Sequence, residues 1–207
     1  MLRKIFGRSA PSQTKNQPII IVSGLPRSGT SMMMKMLAEG GLSYLTDQIR
    51  SADEDNPNGY YEFEPVKQLP GGSNEWLANA GGKVIKVISA LLEYLPSQYR
   101  YKVIFMERRM PEVLASQQKM LVRRNETSNT SDEIIQQDFQ QHLAAVKYWL
   151  ARQPNIEVLY VEYNNMLANP GEYCGQIADF LNIPLNLEKM GQVPSANLYR
   201  NRAPKTQ

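Results

Sequence analysis

The chain has 207 residues, room for one domain with a sizeable core, and its 42% hydrophobic and 21% charged residues are the balance of an ordinary globular protein rather than a collagen-like, coiled-coil or disordered one. No apolar run approaches the roughly 18 residues of a membrane span and the start lacks the apolar stretch of a secretory leader, so the chain reads as unexported and cytoplasmic. A single cysteine, Cys174, excludes an internal disulfide, and a single histidine, His142, leaves too few soft ligands for a zinc site, so no metal is expected.

The net charge of +3 belongs to the first segment, where Arg3, Lys4, Arg8 and Lys15 have no acidic neighbour; without them 19 basic residues face 20 acidic ones. Residues 1–17 therefore read as a flexible basic tail and 18–207 as a single domain with no nucleic-acid surface. Four short β-branched runs, Ile19–Ser23, Lys83–Ile88, Lys102–Met106 and Glu157–Val161, are predicted as buried parallel strands. The first leads through a glycine turn, residues 24–31, into a helix carrying Met32, Met33, Met36 and Leu37, stopped at Gly40 and Gly41. Thr46–Gly82, rich in Asp, Asn, Pro and Gly with Tyr60, Tyr61, Phe63 and Trp76, is expected as a functional loop or lid. Pro111 and Glu112 open a helix burying Val113, Leu114, Met120 and Leu121. After a polar loop, Thr130 and Glu133 have capping-box spacing ahead of a longer helix with Ile134, Ile135, Leu143, Val146 and Leu150. After the fourth run, Pro170 opens a helix, with Ile177, Phe180 and Leu181, that stops near Asn182 and Pro184. Strands alternating with helices predict a three-layer α/β domain: a mostly parallel sheet of four or five strands with helices on both faces.

In Gly24-Leu-Pro-Arg27-Ser28-Gly29-Thr30-Ser31 a strand end meets a helix start, so backbone N–H groups and the helix dipole can converge on one anion. The spacing is that of a phosphate-binding loop, but Thr30 stands where a nucleotide triphosphatase needs its lysine, which speaks against ATP or GTP. Arg27 offers a planar fork there, and Ser28, Thr30 and Ser31 offer hydroxyls.

Pro26-Arg-Ser-Gly-Thr-Ser31 resembles the 5′-phosphosulfate loop of sulfotransferases that use 3′-phosphoadenosine 5′-phosphosulfate (PAPS). That family holds the 3′-phosphate with an arginine at the end of a later strand and a serine eight residues on. Arg108 and Ser116, in Lys102-Val-Ile-Phe-Met-Glu-Arg108-Arg-Met-Pro-Glu-Val-Leu-Ala-Ser116, have that context and spacing. Val161-Glu-Tyr163-Asn-Asn-Met-Leu-Ala-Asn-Pro170 is similar to a segment whose tyrosine approaches the adenine, with Asn164 and Asn165 in place of an acidic pair. The resemblance implies transfer of a sulfonyl group from PAPS to a hydroxyl or amine, releasing PAP, with Arg27, Ser28, Gly29, Thr30, Ser31, Arg108, Ser116 and Tyr163 binding the cofactor.

The chain departs from the family in three places. Met32 stands where many cytosolic members stack an aromatic on adenine, although methionine can also pack on a ring. The C-terminal glycine-rich basic loop is replaced by a stretch with Arg200 and Arg202. Lys86 is kept, but Ile88 occupies the place of the usual catalytic histidine. Other branches use a glutamate as base, and Glu62, in Asn56-Pro-Asn-Gly59-Tyr-Tyr-Glu62-Phe-Glu64, is the candidate, with Glu64 second. The expected catalytic set is thus Arg27, Glu62 and Lys86. The acidic Asp53-Glu-Asp55 and the lid tyrosines allow a carbohydrate, peptide or small phenolic acceptor. A non-catalytic PAPS-binding module and a phosphate-loop nucleotide kinase using Glu107 are the competing readings.

Overall fold

The computed structural model describes residues 17–47, 49, 59–123 and 130–194. The basic tail, Asp53-Glu-Asp55, Asn56 to Asn58, most of the polar loop at 125–131, and Arg200 and Arg202 lie outside the described residues. Four strands form one parallel sheet in the order β2-β1-β3-β4: β1 Ile19–Gly24, β2 Val84–Lys86, β3 Tyr101–Glu107 and β4 Ile156–Glu162. Every residue of the central β1 is buried, which is why that run reads as continuous hydrophobics rather than as alternation. β2 is shorter than its apolar run because Lys83 is taken into a turn, its N–H bonding Ala80 O. The outer edge of β2 is not bare: Val84 N–H donates to Ser43 O and Leu45 N–H to Val84 O.

Helix α1, Thr30–Glu39, lays its methionines on one face of the sheet, where Met33, Met34, Met36 and Leu37 join Ile20, Val22, Ile104 and Val161. It stops where the glycine pair predicts. Leu42 N–H reaches back to Leu37 O and Gly41 N–H to Ala38 O, with Gly41 in the left-handed region at φ 101°. The same face is completed by α4 (Tyr163–Ala168), α5 (Pro170–Leu181) and α6 (Leu187–Gln192).

The other face carries Ile19, Ile21, Ile85, Val87, Val103 and Phe105. α3 (Asp132–Leu150) packs there through Leu143, Val146, Trp149 and Leu150, following α2 (Met110–Arg123). Two expectations for this region are corrected. The α3 cap is Ser131, whose hydroxyl accepts the Ile134 N–H, so the capping box on Thr130 does not form, and Ile134 points to solvent. The stretch expected as a lid is a packed layer over much of its length. It forms 3-10 segments at Glu64–Gly71 and Glu75–Asn79, and Val66, Leu69, Leu77 and Ala80 enter the core behind an edge-on Phe63–Trp76 pair. Among the described residues no helix is long and apolar enough to cross a membrane.

Candidate active site

The chain runs from β1 through α1 to β2 on one side, while β3 lies on the other, so the strand order reverses between β1 and β3. Ligands of open α/β sheets bind in the crevice outside the carboxyl ends of the strands at such a point. The loop after β1 and the start of the segment after β3 meet there.

The β1 loop is held open by backbone geometry that its residues do not favour by default. Arg27 is left-handed at φ 71°, a conformation that costs a non-glycine residue free energy and is retained when surrounding contacts enforce it. Gly29, at φ 102°, is required on a second ground. A Cβ there would sit 2.4 Å from Cδ2 of Tyr163, so the loop closes against the tyrosine ring only because the position is glycine. Gly29 is also the N-cap of α1, and the N–H groups of the first helical turn, Thr30 to Met32, have no acceptor within the helix. The Ser28 hydroxyl is 1% exposed and finds no hydrogen-bond partner among the described residues. It lies back against Gly24, where an added Cβ would meet it at 2.6 Å, so of these features the first-turn N–H groups of the helix are the ones that fit an anion.

Arg27 does not confine its side chain to this loop. Its Nε donates to Ser116 Oγ at 2.9 Å, spanning two motifs that are 89 residues apart in sequence. Arg108 Nη1 in turn donates to Arg27 O at 3.1 Å, and the Arg108 guanidinium lies over the Tyr163 ring, 4.5 Å from its centroid. The structure therefore brings Arg27, Ser28, Gly29, Arg108, Ser116 and Tyr163 into one cluster. Tyr163, 6% exposed, is a wall for both the loop and Arg108, so most of its ring is already committed to protein contacts. Burial holds its hydroxyl above the ordinary phenol range, with Glu112 adding to the rise and Arg108 and Arg27 opposing it, so it stays a neutral donor. Met32 is 5% exposed and belongs to the core under α1, which corrects the idea that it packs on an adenine ring.

Lys86, at the end of β2, places its ammonium 3.3 Å from Ser31 Oγ and against the carbonyl of Tyr60. It thereby ties the glycine loop's helix to the segment that carries Glu62. That segment is clasped from behind: Thr46 Oγ1 and the Asp47 N–H both donate to Glu62 O, at 3.0 and 3.1 Å. Glu62 itself is half-buried, whereas Glu64 opens the following 3-10 segment and pairs with the exposed Lys67. Ile88, in the histidine's place, is 43% exposed. His142 lies on α3, its Nε2 2.8 Å from Ser89 Oγ. Glu112, buried beside Arg108, has no signal in the sequence reading beyond a helix-opening position, although its i,i+4 spacing from Arg108 offers one.

Residues 17–199 match the family model described as the sulfotransferase domain. The chain belongs to the sulfotransferase domain family. No curated protein matches it in sequence. Among solved structures it is similar to mouse sulfotransferase SULT7A1 complexed with PAP, at 20% identity and a TM-score of 0.56, covering 92% of this chain and 68% of that one. It is also similar to the sulfotransferase domain of the Synechococcus PCC 7002 olefin synthase, at 15% identity and a TM-score of 0.55, covering 94% of this chain and 83% of that one. A third is sulfotransferase STF1 from Mycobacterium tuberculosis, at 15% identity and a TM-score of 0.54, covering 89% and 72%. At these identities the likeness is one of fold, and the family assignment rests on the domain match.

Proposed function

We propose that this sulfotransferase takes the sulfonyl group of PAPS to a hydroxyl or amine acceptor and releases PAP. The bond from Arg27 to Ser116 carries the reading, because it joins two anion-binding motifs from different strands in one crevice, as a nucleotide with phosphates at both 5′ and 3′ positions demands. The mouse relative crystallised with PAP supports the same choice of cofactor. Bound PAPS supplies an electrophilic sulfur and a bisphosphate leaving group.

The chain's own residues do the rest. The first-turn N–H groups of α1, the Ser31 hydroxyl and the Lys86 ammonium hold negative charge at the 5′ end, where it grows during transfer. Arg108 and Ser116 hold the 3′-phosphate, charge-assisted on the arginine side. Glu62, on the segment tied to Lys86 through Tyr60, takes the acceptor proton, a role that Ile88 has no group to fill. The acceptor is a small molecule, carbohydrate or peptide that carries a hydroxyl or amine.

The test is ligand-dependent stability. PAP at a hundredfold excess over its Kd stabilises a protein by about 2.7 kcal/mol, which for a chain of this size raises Tm by roughly 5–10 °C. ATP with magnesium, lacking a 3′-phosphate, should leave Tm nearly unchanged. Equal shifts with the two ligands would overturn the reading.

A further inference from the structure

A buried carboxylate inside an anion site is unexpected, because it is costly to desolvate and repels the ligand. Glu112 is such a group: its side chain is wholly buried at the start of α2. Its Oε2 accepts from Arg108 Nε at 3.0 Å, and Asn164 Nδ2 reaches both of its oxygens, at 3.0 and 3.1 Å. Arg108 is thus restrained from three directions: Nε on Glu112, Nη1 on Arg27 O, and its face on Tyr163. Three such restraints fix both the position and the plane of a guanidinium, which matters because its donors form a rigid fork.

The geometry points to Glu112 as a positioning residue that, held by Asn164, sets the plane of Arg108 and so the preference for a ligand carrying a 3′-phosphate. The inference rests on the proposal that the site takes PAPS. It also accounts for the amide at position 164: a carboxylate there would lie about 3 Å from that of Glu112, and two such groups cannot both stay ionised without cost.

The experiment compares PAP with adenosine 5′-phosphate by calorimetry on the full chain, because only the first ligand engages the 3′ site. The readout is the ratio of the two affinities, which a loss of general stability would not move. In Glu112→Gln the ratio should fall about tenfold or more, the cost of a misdirected hydrogen bond to a charged group, while affinity for adenosine 5′-phosphate stays within about twofold. If Glu112 served only as a counter-charge, its removal would make the site more positive and raise the ratio. A raised or unchanged ratio overturns the inference.

Should Glu112→Gln fail to fold, Asn164→Ala at a half-buried position decides the matter. A fall in the ratio of about threefold or more supports the role, and an unaltered ratio overturns it. A wild-type protein that binds the two ligands equally would overturn the cofactor proposal itself. A selective wild type with selective variants would overturn only the role of Glu112.

Discussion

Single residues in this site carry roles set by what they touch. Arg27 shows how contact changes an expectation: as a loop residue it suggests a fork on the 5′ group, yet its Nε lies on Ser116, so its loss should disturb both of the proposed phosphate sites. Arg108 and Ser116 were legible through the resemblance to the sulfotransferases, whose 3′-phosphate arginine and serine have this strand-end context and eight-residue spacing; spacing alone would not have singled them out. The Glu112–Asn164 pair was not legible, since the two residues are 52 positions apart and meet only when α2 and α4 pack beside the same strand ends. For Glu62 the expected outcome of Glu62→Gln is a fall in turnover of about 10²–10⁴-fold with PAP affinity nearly constant, since the amide keeps shape but not basicity. Glu64→Gln, at a carboxylate already paired with Lys67, should cost much less. Rates of transfer from labelled PAPS, measured on whichever pool of carbohydrate, phenol or peptide acceptors is sulfated, check both. Undiminished transfer by Glu62→Gln would place the base elsewhere.

At the scale of elements, the strands, α1, α2 and α5 were readable because each is announced by local chemistry: β-branched runs, a glycine pair, a proline in the first turn. The 3-10 segments at Glu64–Gly71 and Glu75–Asn79 were not, because their apolar residues follow no helical or alternating period and are buried by neighbours distant in sequence. What holds this layer toward the site is a clasp. The Asp47 carboxylate accepts the N–H groups of Ile49 at 3.0 Å and Glu64 at 2.6 Å, while Asp47 N–H and the Thr46 hydroxyl take Glu62 O from the other side. Those two N–H groups hold the Asp47 carboxyl below its usual range. A carboxyl with a lowered folded pKa stabilises above its unfolded value and loses that contribution as pH falls through the folded one. Asp47→Asn should therefore melt earlier than wild type at neutral pH, and the Tm gap should begin to narrow as scans move below about pH 4, the ordinary aspartate range, and close only once the pH falls below the lowered folded value. At neutral pH the same variant should lower turnover several-fold with PAP affinity unchanged, because the clasp orients Glu62 and touches neither anion site. A Tm gap that persists through acid pH would show that the carboxylate's charge is not what the clasp uses.

At the scale of the whole molecule, the two cores lie on opposite faces of one sheet, and the proposed site sits where the strand order turns, bordered by residues at or just after the carboxyl ends of all four strands. A ligand there bears on segments anchored in both cores, so its binding should stabilise the fold as a unit rather than one loop. The lone cysteine offers a direct measure. Cys174 lies in α5, fully buried in the core under α1, and burial pushes its thiol up from the ordinary range. A thiol reagent reaches it only when that core opens. If the opening is global, the open population falls by the factor one plus ligand concentration over Kd, so PAP at a hundredfold excess should slow labelling about a hundredfold. ATP with magnesium should leave the rate nearly unaltered, and the labelling rate should follow the Tm shifts across a PAP titration. Labelling that stays fast under saturating PAP, while Tm rises, would mean that α5 opens independently of the site and that the two cores are not one cooperative unit.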